Sequence, residues 1–166
     1  IEYNFTATQP AYAYSSHKGG CPQWIAHDRF EQHGMVSGYV KVGGREIALQ
    51  GYAQRDHSWG VRDWGLNQHW KWVHAQAGPE LGVHFWKLES MGKTLIRGFV
   101  DKNQHIAQVV DVDIDLDIND DLKTRTVNAT IYDSAGRTTI FQGVAYATFP
   151  LCPDPMITLF RSEERR

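Results

Sequence analysis

Residues 69–90 read HWKWVHAQAGPELGVHFWKLES, and the fold follows from how this stretch is read. Trp70, Trp72, His74 and Gln76 fall on one face of an extended segment. Gly78-Pro79-Glu80 supplies a turn, and His84, Trp86 and Leu88 share a face of the returning segment. The period is two, that of a strand, and not the 3.6 of a helix. If the hairpin register sums to 158, the two faces coincide and bring three indoles and two imidazoles together; a shift of one residue separates His74 from His84. Such a face suits the lining of a ligand cavity with a few placed polar groups, or equally the core and rim of a barrel.

Working outward, the same period recurs. Residues 1–8, 29–42, 45–54, 93–101, 105–118, 122–133 and 137–149 also read as strands, with short turns between most of them. Gly43-Gly44 is a two-residue turn that tolerates positive φ, and its register sets Lys41 opposite Glu46 and Val40 opposite Ile47. The expected fold is therefore all-β, a closed antiparallel barrel or a sandwich of about nine strands forming one domain over residues 1–166. Residues 9–27 are rich in Pro, Gly and Ser and read as a long loop over one barrel mouth. Residues 55–67 have no clean period and read as an ordered loop or irregular strand. The charged tail, 162–166, is expected to fray.

The chain has 166 residues, a formal charge of −2 and 42% hydrophobic residues, which excludes disorder and suits a domain of ordinary size. The weak charge argues against nucleic acid as a partner. No apolar run approaches the ~18 residues of a spanning helix, so the chain is not expected to be transmembrane. Cys21 and Cys152 have neither metal nor redox spacing, and whether they pair is left open. The chain begins with Ile and has no charged n-region or apolar h-region. We read it as a C-terminal portion of a larger polypeptide, or a cloned fragment.

Asp111, Asp113, Asp115 and Asp117 alternate with apolar residues and lack the Gly of a calcium loop, so they read as the solvated face of a strand. With Asn119-Asp120-Asp121 as the loop, Asp117 would face Lys123 and Asp115 would face Arg125. The eight His include no H-E-x-x-H or similar spacing, and neither a metal nor a cofactor is expected. His17, His27, His33 and His105 read as ordinary polar residues.

Two Arg-Asp dipeptides, a His and two Trp crowd into Arg55-Asp56-His57-Ser58-Trp59-Gly60-Val61-Arg62-Asp63-Trp64. Indoles want burial with the N–H satisfied, and buried Arg and Asp want each other. Three readings stay open. The segment could form a buried salt-bridge plug, the polar end of a ligand pocket, or a catalytic group in which Asp56, His57 or Asp63 moves a proton. Asp56-His57-Ser58 is no hydrolase triad, because neighbours in an extended chain point to opposite faces.

The stretch from Gly51 to Trp64 resembles the G-x-x-x-R-D-H-S-W-G-x-R-x-W signature of lipocalin-like proteins related to AttH and to hydroxyneurosporene synthase (carotenoid 1,2-hydratase). Phe30-Glu31-Gln32-His33-Gly34, followed by Gly38, is similar to the strand that precedes that signature. Tocopherol cyclases and fungal decalin-forming Diels-Alderases are more distant relatives with the same fold. The resemblance covers residues 28–149. It implies an antiparallel lipocalin-like β-barrel of about nine strands, one of a tandem of two such domains that hold ligands in or between them, with this chain matching the C-terminal half of a longer two-barrel protein.

The expected function is binding of a hydrophobic, isoprenoid-like small molecule. Arg55, Trp59, Arg62, Trp64, Trp70, Trp72, His74, His84 and Trp86 would form the binding site. The alternative is a hydratase, cyclase or isomerase that protonates a polyene, using Asp56, His57 or Asp63. An Arg beside an Asp lowers its pKa, which works against acid strength at neutral pH. A homodimer or a missing N-terminal domain would complete an interface pocket.

Overall fold

A computed structural model describes the backbone of residues 1–121, 123–150 and 156–162. The chain adopts the antiparallel all-β fold expected of a lipocalin-like domain. Among the described residues there are eleven strands, as against about nine expected, and the only helical pieces are two single 3-10 turns. Contacts group the chain into two compact units, residues 1–109 and 110–166.

The first unit holds two antiparallel sheets. One contains β1 (Glu2–Ala7), β2 (Tyr12–Ala13), β3 (Asp28–Val42) and β4 (Arg45–Trp59), with β3 in the centre. Its long hairpin turns at Gly43-Gly44, where both φ angles are positive, as a tight two-residue turn requires. Val40 pairs with Ile47 and Lys41 with Glu46, as expected, and the Lys41–Glu46 ion pair closes at 3.2 Å. The register runs unbroken to Asp28–Trp59. Residues 55–59 are therefore regular strand, which corrects the irregular reading: Arg-Asp-His-Ser-Trp carries no apolar alternation to announce it.

The other sheet of this unit contains β5 (His69–Gln76), β6 (Leu81–Ser90), β7 (Lys93–Lys102) and the start of β8 (His105–Ile118). Its first hairpin has the register summing to 158, pairing Trp72 with Trp86 and His74 with His84. The β7–β8 turn is made by Asn103 and Gln104, both at positive φ.

Residues 9–27 do more than cover an opening. They contain β2 and a 3-10 turn at Tyr14–Ser16. Tyr12, Tyr14, Cys21, Ile25 and Ala26 form one core cluster with Trp86, Leu88 and Phe99. Arg97 of β7 holds the segment down, donating to the carbonyls of Gly19 and Gly20 at 2.9 and 2.8 Å.

The second unit continues β8 and adds β9 (Thr124–Asp133), β10 (Thr138–Pro150) and β11 (Met156–Ser162). Val112, Val127, Ala129 and Ile131 are its buried residues of strand period. The turn from β8 to β9 departs from expectation by two residues. The Asn119 N–H donates to the Lys123 carbonyl, Arg125 pairs with Asp117 at 2.9 Å, and Lys123 reaches Asp121 at 4.0 Å. A shift of two preserves the faces, so the acidic row still faces solvent. Arg161 and Ser162 lie in β11 and are not a frayed end. Residues 163–166 and Cys152, and with it the question of a Cys21 pairing, lie outside the described residues.

Candidate functional site

The site is built from β3 upward. Arg29, Glu31 and His33 alternate with Phe30 and Gln32, so the period of two puts all three on one face. Gln54 and Asp56 of β4 lie across from His33 and Glu31. This face meets the Trp72–His74 and His84–Trp86 face of the second sheet.

Glu31 and His84 are both fully buried, at 0% side-chain exposure. The Arg29 guanidinium lies 2.5 Å from Glu31 Oε1 and 2.8 Å from Asp56 Oδ2. It lies over two indoles that are themselves in edge contact, 5.0 Å from the Trp72 ring centroid and 4.6 Å from that of Trp86, an arrangement that stabilises a desolvated cation. The Gln54 amide donates to Glu31 Oε2 and, at 3.1 Å, to His84 Nδ1. The Trp72 indole N–H also donates to His84 Nδ1, at 3.3 Å. With Nδ1 accepting twice, we assign the imidazole proton to Nε2. That nitrogen faces the Tyr14 hydroxyl at 2.6 Å and Glu31 Oε1 at 3.4 Å.

The electrostatics follow from burial. Desolvation pushes Glu31 up to about 7, because it outweighs Arg29, which pulls the other way. Burial holds His84 well below its ordinary value, with His74, Arg29 and His33 adding to the effect. It likewise lowers His33 to about 3 and His74 to about 4, and it raises Tyr14 well above the usual phenol range. The cluster thus holds one carboxyl that changes state near neutral pH, beside imidazoles that stay neutral there. A chain of contacts runs from Asp56 through Arg29 and Glu31 to His84 and Tyr14. Its outer end is open: the Asp56 side chain is 42% exposed and Trp72 is 50% exposed.

The expected site residues divide. Trp72, His74, His84 and Trp86 come together as anticipated, and Trp70 packs half-buried against the core nearby. The signature segment does not enter the interior as a unit. Asp56 reaches in to Arg29, but Arg55, His57 and Trp59 lie on the opposite face of β4. There the Arg55 guanidinium sits 5.4 Å from the rings of Phe5 and Phe30. His57 stacks on Phe30 at 5.7 Å and on Trp59 at 5.6 Å. Arg62 is exposed and donates to Ser58 Oγ; Asp63 is exposed and caps Gly65. A buried plug made of Arg55-Asp56-His57 and Arg62-Asp63 is therefore corrected: strand alternation turns Arg55 and His57 outward, Arg62 and Asp63 lie exposed beyond the end of β4, and Arg29 and Glu31 supply the buried pair instead. The Trp64 side chain lies outside the described residues.

Sequence reasoning missed Arg29, Glu31, His33, Gln54 and Tyr14. The signal was present as Arg-x-Glu-x-His on a strand, three titratable groups sharing one face. His33, read as an ordinary polar residue, is buried with its ring 4.8 Å from that of His74 and 5.0 Å from that of Phe99. Among the described residues no three His, Cys, Asp or Glu side chains converge as a metal site.

An open hollow in the second unit, lined by Asp117, Arg125, Val144 and Tyr146 among others, offers weaker chemistry. Its Arg125 already pairs with Asp117, and both are exposed. The buried cluster of the first unit is the candidate site.

No curated protein and no solved structure gives a match. The family described as "Domain of unknown function (DUF7064)" matches residues 1–162, and the chain belongs to that family.

Proposed function

We propose that this domain binds an apolar, isoprenoid-like small molecule against Trp72 and Trp86, with Glu31 and His84 as the polar end of the site. One observation carries the reading. A sealed carboxyl is linked through His84 to Trp72, an indole that keeps its N–H inside and half its surface in solvent. Trp wants burial, so an exposed indole tied to a buried titratable cluster is a surface a ligand can complete. The resemblance of residues 51–64 to the AttH and hydroxyneurosporene synthase group supports an isoprenoid class of ligand.

A second reading is acid-assisted protonation of a polyene, as in a hydratase, cyclase or isomerase. The carboxyl favouring it is Glu31, which is fully buried and raised to about 7, whereas Asp56 stands at the exposed end of the cluster and Asp63 serves a turn. A proton donor of that strength suits neutral pH, and the indole faces would stabilise a developing cation.

Titrating Trp fluorescence with a panel of retinoid- and terpene-like molecules tests the binding reading. Saturable quenching that is lost in Trp72→Ala and kept in Trp59→Ala is the expected result. No response across the panel overturns it.

A further inference from the structure

Around His33, buried polar atoms lack partners. His33 itself is fully buried; one ring nitrogen leans on the β6 backbone at Val83, and the other meets no donor or acceptor. His74 Nδ1, Gln76 Oε1 and Thr8 Oγ1 are in the same condition. Register brings them together. The His74 ring lies 4.8 Å from that of His33. Gln76 follows His74 on the same strand face and pairs with Gly82, against which His33 is pressed. The Thr8 N–H donates to the His33 carbonyl, which sets Thr8 beside it on the first sheet. Roughly nine in ten buried polar groups in proteins are paired, so four unpartnered side chains around one imidazole mark a place that a guest completes.

An open seam leads there. Among the described residues β4 pairs only with β3, and β5 only with β6, so each has one unpaired edge. Asp56 and Trp72, which rest on the same guanidinium, stand at one end of the seam. At the other, the Tyr52 hydroxyl comes near the β5–β6 turn at Gly78. Trp72, Tyr52 and Met35, all on the inner face, are 50%, 45% and 42% exposed. Gln76 lies about 13 Å along β5 from Trp72.

The donors and acceptors select the guest. A neutral imidazole offers one of each, an amide oxygen accepts, and a hydroxyl does both. Burial keeps His33 and His74 neutral near pH 7. No Lys or Arg stands on the inner face in these rows among the described residues, and Asp101, which pairs with Gly82, is buried on the same face. An anion would meet a buried carboxylate and no cation, whereas a hydroxyl can donate and accept at once.

We propose that His33, His74, Gln76 and Thr8 form the subsite for a hydroxyl group of the bound molecule, whose apolar body lies along the seam from Trp72. The inference rests on the binding reading above and gives the ligand class as an isoprenoid-like alcohol, the polar end of the site continuing past Glu31 and His84.

Trp fluorescence titrations with farnesol, its methyl ether and farnesoic acid test this. Farnesol is expected to bind at least about tenfold more tightly than either analogue, because the ether cannot donate and the acid is ionised. Gln76→Leu and His74→Phe should each erase the preference over the ether. Both should keep or raise the melting temperature, since each removes an unpartnered buried atom; a purely structural role moves it the other way. Farnesol binding no better than the ether or the acid overturns the subsite and leaves the binding reading standing. So does a preference that survives either substitution, or a melting temperature that falls by more than about 5 °C in either variant. No quenching by any of the three molecules overturns the binding reading, and this inference with it.

Discussion

Arg29 and Glu31 stand two residues apart on one strand face, with guanidinium and carboxyl 2.5 Å apart and both side chains out of solvent. A buried pair of this kind stabilises little in net terms, yet losing one partner strands the other. Glu31→Gln, measured by urea unfolding at pH 8, should cost about 2 kcal/mol, because Arg29 keeps only Asp56. Asp56→Asn removes the more exposed contact and should cost less. An unchanged unfolding midpoint in Glu31→Gln would show that the buried carboxylate adds nothing to stability and that Arg29 is not left stranded.

The pH dependence of stability has a definite sign. His33, His74 and His84 have depressed folded-state values, so below about 6.5 the unfolded chain binds their protons and the folded chain does not. Their contribution is present above 6.5 and is lost as pH falls. Glu31, raised from 4.5 to about 7, acts oppositely; its contribution is full below 4.5 and fades as pH rises through 7. Near pH 5.5 the unfolded chain binds about two more protons than the folded one, so stability should rise by roughly 2.5 kcal/mol per pH unit and level off near 7. Glu31→Gln should steepen that slope by about half. Urea midpoints at pH 5, 6 and 7 check both statements, and a flat profile contradicts them.

How much of this was legible in sequence differs from element to element. The hairpin at 69–90 was readable because its aromatic residues keep a strict period, and the Lys41–Glu46 register because a two-residue glycine turn leaves no slack. The β8–β9 register was misread because Asp recurs every two residues on β8 and Lys123 and Arg125 are also two apart, so a shift of two still sets a basic residue opposite an acidic one. The buried cluster escaped because Arg29, Glu31 and His33 look like a solvent-facing set. Only the opposing sheet, supplying two indoles and His84, together with Gln54 from the adjacent strand β4, makes their burial possible. Tyr14 was hidden in a segment whose Pro, Gly and Ser suggested a loop.

Gly82 sits where a side chain cannot. A Cβ there would lie 2.0 Å from His33 Nδ1. Gly82→Ala should therefore cost about 1–3 kcal/mol through crowding alone. His33→Ala should recover part of that loss in the double variant, since the two changes share one space. Strict additivity in thermal melts would contradict the contact.

Arg97 pins residues 19 and 20 through two carbonyls. Arg97→Lys keeps the charge and loses the fork. Hydrogen exchange should quicken at residues 17–22 while the β6 and β7 amides stay protected. Equal exchange in both proteins would mean that the core residues Tyr14 and Ile25 anchor the segment unaided.

The central claim is that a ligand completes the site at Trp72. The most direct measurement is the indole ¹⁵N–¹H spectrum of the chain, titrated with a retinoid- or terpene-like molecule that quenches its fluorescence. The account predicts that the Trp72 resonance, whose N–H is held on His84, shifts and saturates while that of Trp59 on the opposite sheet face stays in place. Movement of Trp59 alone, or of no indole at all, would contradict it.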